Sequence, residues 1–249
     1  MKGETSMDCM RRMNLWLCLL ALLAVSGCAA LEGGMGGILG GGPGTSGALD
    51  ESTVTAGIKE ALRVGTQNTV LSTSKVDGYL GNALIRIAMP SQLQSAASAL
   101  RQAGLGAQVD EMEVGMNRAA ELAAGEAREV FWNAITSMTV SDAFGILRGG
   151  NTAATDYFRQ QTYGALRTRF HPIIQEKINE VGLSRVYGRI SDAYNSLPLG
   201  GSSRLVDLDG YVTDQALAGL FTVLASEEQK IRQDPAARTT ELLKRVFGS

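Results

Sequence analysis

The chain has 249 residues, 45% of them hydrophobic and 19% charged, with a formal net charge of −2. That suffices for one helical domain or two small ones with a substantial core. The near balance of 23 basic and 25 acidic residues argues against nucleic acid as the main partner, since phosphate binding leaves a basic footprint. A single histidine removes most histidine-based catalysis and most zinc chemistry.

Residues 1–27 read as a secretory signal peptide. Arg11 and Arg12 supply the positive flank, and an apolar run from Leu15 to Val25 follows. That run is shorter than the roughly 17–25 residues a membrane span needs and suits the core of a leader. The stretch ahead of it is long, so translation begins at Met1 or at Met10.

The run ends in Val25-Ser26-Gly27-Cys28, which resembles a bacterial lipobox. The resemblance implies cleavage before Cys28, diacylglycerol on its sulfur and an acyl chain such as palmitate on the new amino group. Several chains, at roughly 0.8 kcal/mol per buried methylene, hold a protein on a membrane where one would not. Ala29 rather than Asp follows the cysteine, which implies sorting to the inner face of the outer membrane. Of the three cysteines, Cys9 and Cys18 leave with the leader. An acylated Cys28 then leaves no disulfide, thiol nucleophile or thiolate metal site.

From Gly33 to Gly47 nine of fifteen residues are glycine, too many for a packed fold because each loses so much backbone entropy on ordering. Gly42-Pro43-Gly44-Thr45-Ser46-Gly47 lacks the lysine and the preceding strand of a phosphate loop. Residues 28–51 therefore read as a lipidated tether with a reach on the order of 25 Å, ahead of a single all-α domain over 52–249.

Past Ser52 the apolar spacing is helical almost throughout. Val54, Ile58, Ala61 and Leu62 mark the first helix. Leu84-Ile85-Arg86-Ile87 alone looks strand-like, without an evident partner. Pro90 with a Ser91-x-x-Gln94 box opens a second helix that stops at Gly104-Leu105-Gly106. Val109, Met112, Met116, Ala119, Ala120 and Ala123 stripe a third, which Val130, Phe131, Ala134, Ile135 and Met138 continue beyond Gly125. Thr139 to Asp142 cap a short helix ending at Gly149-Gly150.

The longest stripe follows, through Phe158, Leu166, Phe170, Ile174, Ile178 and Val181, with a kink or break predicted at Pro172. Val186, Ile190 and Tyr194 stripe another helix. Ala216 to Ala225 is apolar on nearly every side and reads as the centre of the bundle. Asp234-Pro235 reads as the start of the last helix, with Leu242, Leu243, Val246 and Phe247 inward. The sum is an irregular bundle of about eight or nine helices.

Chemistry is sparse. His171, beside Pro172 and Phe170, has no second histidine, HExxH or Gly-x-Ser-x-Gly elbow to work with. Asp207-Leu208-Asp209-Gly210 resembles the middle of a calcium loop, but the register puts Leu205 and Ala216 at the end ligands, so helix capping is the better reading. Neither metal nor cofactor is expected. Polar groups interrupt the apolar helices at Asn117, Arg118 and Glu121, at Asp156 and Arg159, and at Glu228, Arg232 and Arg238. The i,i+3 and i,i+4 spacings suit surface ion pairs; alternatively the helices converge, and these arginines line a polar cleft for an anionic or peptide ligand.

The runs Gly57-Ile58-Lys59-Glu60-Ala61-Leu62, Met116 to Glu121, Ala153 to Phe158, Phe170-His171-Pro172-Ile173, Tyr211-Val212-Thr213 with Gly219-Leu220-Phe221, and Ile231 to Thr240 resemble the bacterial envelope proteins catalogued as domain of unknown function 4197. The resemblance runs from about Thr53 to Gly248 and implies an exported, mostly helical protein. It carries no assigned catalytic residues, and Ala88-Met89-Pro90 departs from its usual Pro-Leu-Pro. Three functional readings follow: a lipid-tethered, non-catalytic module binding an envelope protein, peptide or other component through the polar cleft; an envelope hydrolase or lyase with Glu121 or Asp156 as general base beside Arg118 or Arg159; and a carrier of a lipid-like ligand between helices.

Overall fold

Helical spacing in the sequence becomes helix in the structure, and what departs from it departs at glycine and proline. The structure, a computed structural model, describes residues 50–180, 182, 185, 187–189, 192 and 207–248. Among them are eight α-helices, two short 3-10 turns and no strand; the fold is all-α. The expected leader, Cys28 and residues 29–49 of the expected tether lie outside the described residues, as do Val181 and the stripe Val186, Ile190 and Tyr194; Asp50 and Glu51, read as the end of the tether, instead open the first helix.

Helix α1 spans Glu51–Thr73, and Asp50 caps it by accepting the Thr53 amide at 3.2 Å. Its buried side includes Val54, Ile58, Ala61, Leu62 and Val70. After a loop, a 3-10 turn at Ser91–Leu93 leads into α2, Gln94–Gln102. The expected Ser91/Gln94 capping box does not form. The Leu93 amide bonds the Pro90 carbonyl at 2.8 Å, so the chain tightens into a 3-10 turn first, and the Ser91 hydroxyl donates to Gln92 instead. Gly104, at φ +79°, ends α2 in a Schellman motif: the Leu105 amide reaches Leu100 and the Gly104 amide reaches Arg101.

Helices α3, Gly106–Ala124, and α4, Ala127–Ser137, are separate. The predicted continuation fails at Gly125, where glycine weakens the helix by roughly 0.5–1 kcal/mol; Gly57, Gly65 and Gly164 stand inside helices that run on, so burial of the α4 face decides the break. The break turns Val130, Phe131, Ala134 and Ile135 inward on a new axis. Helix α5, Val140–Arg148, carries the expected capping box between Thr139 and Asp142.

Helix α6, Ala153–Glu180, runs on through Pro172 without the predicted break. Pro172 and Thr168 both lie on the exposed side of the helix, where a carbonyl deprived of its donor by the proline ring costs least, while buried Phe170 and Ile174 hold the helix on either side. Its buried residues Phe158, Thr162, Leu166, Phe170, Ile174 and Ile178 recur every fourth position. At 3.6 residues per turn that stripe rotates by about 40° per step, so α6 meets different neighbours along its length.

Helix α7, Leu208–Gln233, begins at Asp207, whose side chain accepts the Gly210 amide at 2.9 Å; capping, not calcium, accounts for that carboxylate. It packs on α1, α3 and α6. Ala216, Leu217, Leu220, Phe221 and Leu224 are buried while Ala218 and Thr222 face solvent, so the central helix keeps one open edge. Phe131, Phe158 and Phe221 join α4, α6 and α7 edge to face, with centroids 5.2 and 6.4 Å apart.

Asp234-Pro235 starts a 3-10 turn, Pro235–Ala237, rather than the last helix. Arg238 then bonds the Ile231 and Arg232 carbonyls and folds the chain back over the end of α7. Helix α8, Glu241–Phe247, begins at Thr240, whose hydroxyl accepts the Leu243 amide. No described helix is long and apolar enough to cross a membrane.

Candidate functional site

The first polar group proves to be a clamp on the loop over residues 74–90. Tyr79, Ile85, Ile87 and Met89 of that loop are buried, at roughly 1.5–3 kcal/mol for a fully buried large apolar side chain. A loop buried without secondary structure must find partners for its backbone, and α3 supplies them. The Asn117 amide oxygen accepts the Ile87 amide at 2.9 Å, and its nitrogen donates to the Ile87 carbonyl at 2.8 Å and to Glu113 at 2.7 Å. One side chain thus stands where a neighbouring strand would, which is why Leu84 to Ile87 look strand-like and pair with no strand.

Glu121, also buried, accepts the Tyr79 and Leu80 amides at 3.1 and 3.2 Å on one oxygen and Arg118 at 2.6 Å on the other. Arg118 continues to Asp77 at 2.8 Å, and Asp77 sits at φ +65°. The Tyr79 hydroxyl donates to the Ala216 carbonyl at 2.7 Å, and burial, followed by the nearby Glu121, pushes its phenol well above the ordinary range. Gly219 makes room: a Cβ there would lie 2.7 Å from the Tyr79 ring.

The second polar group is a knot at one end of the bundle. The Glu228 carboxylate accepts the Ala154 and Thr155 amides at 2.9 and 2.8 Å and the Thr155 hydroxyl at 2.8 Å. It therefore caps the N-terminus of α6 from another helix, where an anion meets the positive end of the dipole. Arg232 pairs with Glu228 at 2.9 Å and donates to the Ile146 carbonyl at 2.8 Å, covering the end of α5. Three helix ends meet around this pair, and Arg238 closes the fourth side over the end of α7.

Asp156 and Arg159 join neither knot by hydrogen bond. Asp156 is exposed and accepts the Thr152 hydroxyl at 3.1 Å; Arg159 lies over the Phe221 ring at 4.8 Å. Arg118 and Glu121 are thus brought together beside Asn117, and Arg232 is brought to Glu228 beside Arg238. No hydrogen bond joins the two sets among the described residues. Both buried carboxylates have their two oxygens engaged by structural donors, which leaves neither placed to take a proton from a substrate. His171 is half-buried, with Nδ1 3.4 Å from the Thr213 hydroxyl.

Open space lies elsewhere. A cavity of about 30 Å³ beside Glu228, lined by Ile58, Leu62, Leu224 and Phe247 among others, holds no more than a water-sized molecule. A groove of about 760 Å³ opens between α1 and α4. The Lys59 ammonium bonds the Thr136 carbonyl at 3.3 Å and joins α1 to α4 beside it. Thr66, Val70 and Ile135 form the floor. Arg63 and Gln67 stand on one wall, and Glu126, Arg128, Glu129 and Trp132 on the other.

Trp132 is 52% exposed. Arg63 is held by Glu60 at 2.8 Å and donates to Gln67 at 3.2 Å; that arginine holds Glu60 below the usual carboxylate range. Arg169 reaches Glu129 at 2.6 Å and Glu126 at 3.6 Å, and its hydrogen bond lowers Glu129 in the same way. None of the eight polar residues singled out from the sequence lines this groove. The signal that could have found it was Trp132: the largest apolar side chain in α4, it sits off the Val130, Phe131, Ala134, Ile135 stripe.

Residues 48–248 match the family described as protein of unknown function DUF4197. The chain belongs to that family. Comparisons of this DUF4197 chain with curated proteins and with solved structures give no match.

Proposed function

We propose that this DUF4197 chain is a lipid-anchored module of the bacterial cell envelope that binds a component of its surroundings and does no chemistry on it. The lipobox ending at Cys28 and the glycine tether support the location, facing the periplasm from the inner face of the outer membrane. The observation that carries the binding reading is the contrast between two kinds of polar residue. Asn117, Glu121, Glu228 and Arg232 are consumed by internal bonds, whereas Gln67, Arg128, Glu129 and Trp132 stand around an open groove. The polar cleft read from the sequence thus gives way to the α1–α4 groove as the binding surface.

Two measurements test this. Cys28→Ser moves the protein from the membrane fraction to the soluble one; a variant that still pellets with membranes overturns the anchor. A photo-crosslinking residue in place of Trp132 captures its neighbour in living cells, while the same residue at Leu84, on an exposed loop remote in sequence from the groove, does not. Equal capture at both positions removes the groove from the proposal.

A further inference from the structure

The groove has a composition that selects among ligands. Its side chains are an exposed indole, one amide, two guanidiniums and two carboxylates over a floor of Thr66, Val70 and Ile135. The two arginines are balanced by the two glutamates, and their outer partners cancel as well, Arg169 beside Glu126 and Glu129 and Glu60 beside Arg63. A polyanion would meet those glutamates, and a polycation would meet Arg63 and Arg128, so the charge pattern selects an uncharged ligand.

Planar polar groups in this number suit a ligand rich in hydroxyls. Carboxylates accept from hydroxyls, guanidiniums donate to them in forked geometry, and Gln67 does both. Trp132 supplies what such a ligand needs besides: a flat apolar face that covers the C–H side of a sugar ring, with an N–H at its rim. The groove's size falls within the roughly 300–1,000 Å³ of small-molecule sites, and its length along the helices gives room for several rings. An extended peptide finds no open backbone edge to pair with, and a helical one finds an apolar floor of only Val70, Ile135 and the Thr66 methyl.

We infer that the α1–α4 groove is a saccharide site that takes an uncharged glycan chain, with Trp132 as the stacking platform and Gln67, Arg128 and Glu129 as hydroxyl partners. This rests on the binding reading above and names the class of ligand.

The chain holds two tryptophans, Trp16 and Trp132. Trp16 lies in the leader ahead of Cys28, so in the mature chain of the reading above Trp132 is the sole indole, and its fluorescence reports the groove directly. Titration with the β-1,4-linked N-acetylglucosamine tetramer gives a saturable change in intensity and a blue shift. In calorimetry Trp132→Ala weakens binding of that tetramer tenfold or more, and Arg128→Ala and Gln67→Ala weaken it severalfold, all with unchanged far-ultraviolet circular dichroism; Leu84→Ser leaves affinity unchanged. A flat titration at millimolar tetramer overturns the inference, and so does a change produced equally by a neutral decapeptide. If the crosslinker at Trp132 captures a protein while saccharide has no effect, the binding reading stands and the glycan inference falls. If neither responds, both fall.

Discussion

Glu228→Ala removes the acceptor for two buried amides, one buried hydroxyl and a largely buried guanidinium. The Ala154 and Thr155 amides lie 2.9 and 2.8 Å from the carboxylate and have no intrahelical acceptor, being in the first turn of α6. Arg232 has 13% of its side chain exposed and would be left as a largely buried cation without a carboxylate, holding the Ile146 carbonyl and the face of Phe247. Breaking a buried pair in this way costs roughly 3–5 kcal/mol, and the loss of the cap falls within the same range of causes. We expect about 4 kcal/mol, a large part of the 5–15 kcal/mol typical of a domain.

The assay is urea unfolding followed by helical circular dichroism. With a slope near 2 kcal/mol/M, the midpoint falls by about 2 M. Arg232→Ala costs less, because the α6 amides keep their acceptor, and the double variant is less destabilised than the sum of the two. A midpoint change under about 0.5 M, or strict additivity of the two changes, refutes the view that this pair holds three helix ends together.

Asn117→Ala leaves the Ile87 amide and carbonyl buried without partners and costs about 3 kcal/mol at 1–3 kcal/mol per orphaned group; hydrogen exchange at the Ile87 amide rises sharply while that of the α6 core does not. Tyr79→Phe loses about 1 kcal/mol at neutral pH with the bond to Ala216. Because burial raises the Tyr79 phenol in the folded state, its stabilisation is complete below the ordinary value near 10 and is lost as pH climbs above it. The parent chain therefore loses about 1.4 kcal/mol per pH unit more than Tyr79→Phe in that alkaline range, measured by denaturant titration. Gly57→Ala drives a methyl into the Val246 side chain and costs about 1–3 kcal/mol; in a Val246→Ala background the same substitution costs far less, read from the melting temperature.

The lesson of the polar residues is that spacing along a helix names neighbours on that helix and nothing across the bundle. Arg118 with Glu121 and Glu228 with Arg232 were legible as pairs at i,i+3 and i,i+4. That Glu121 also holds the Tyr79 and Leu80 amides, or that Glu228 caps α6 some seventy residues away in sequence, was not. The groove was hidden for the same reason: it lies between α1 and α4, and no local pattern records how two helices distant in sequence face one another.

Local physics determined the all-helical class, the Thr139 box, the Gly104 stop, the Asp207 cap and most of the inward faces, because each depends on residues within a turn or two of one another. Tertiary packing decided that Pro172 is carried through a continuous α6, that Gly125 divides α3 from α4, that residues 84–87 pair with an asparagine rather than a strand, and which polar side chains are sealed inside. Those outcomes depend on which buried surfaces meet, and a contact between distant segments is a property of the whole fold.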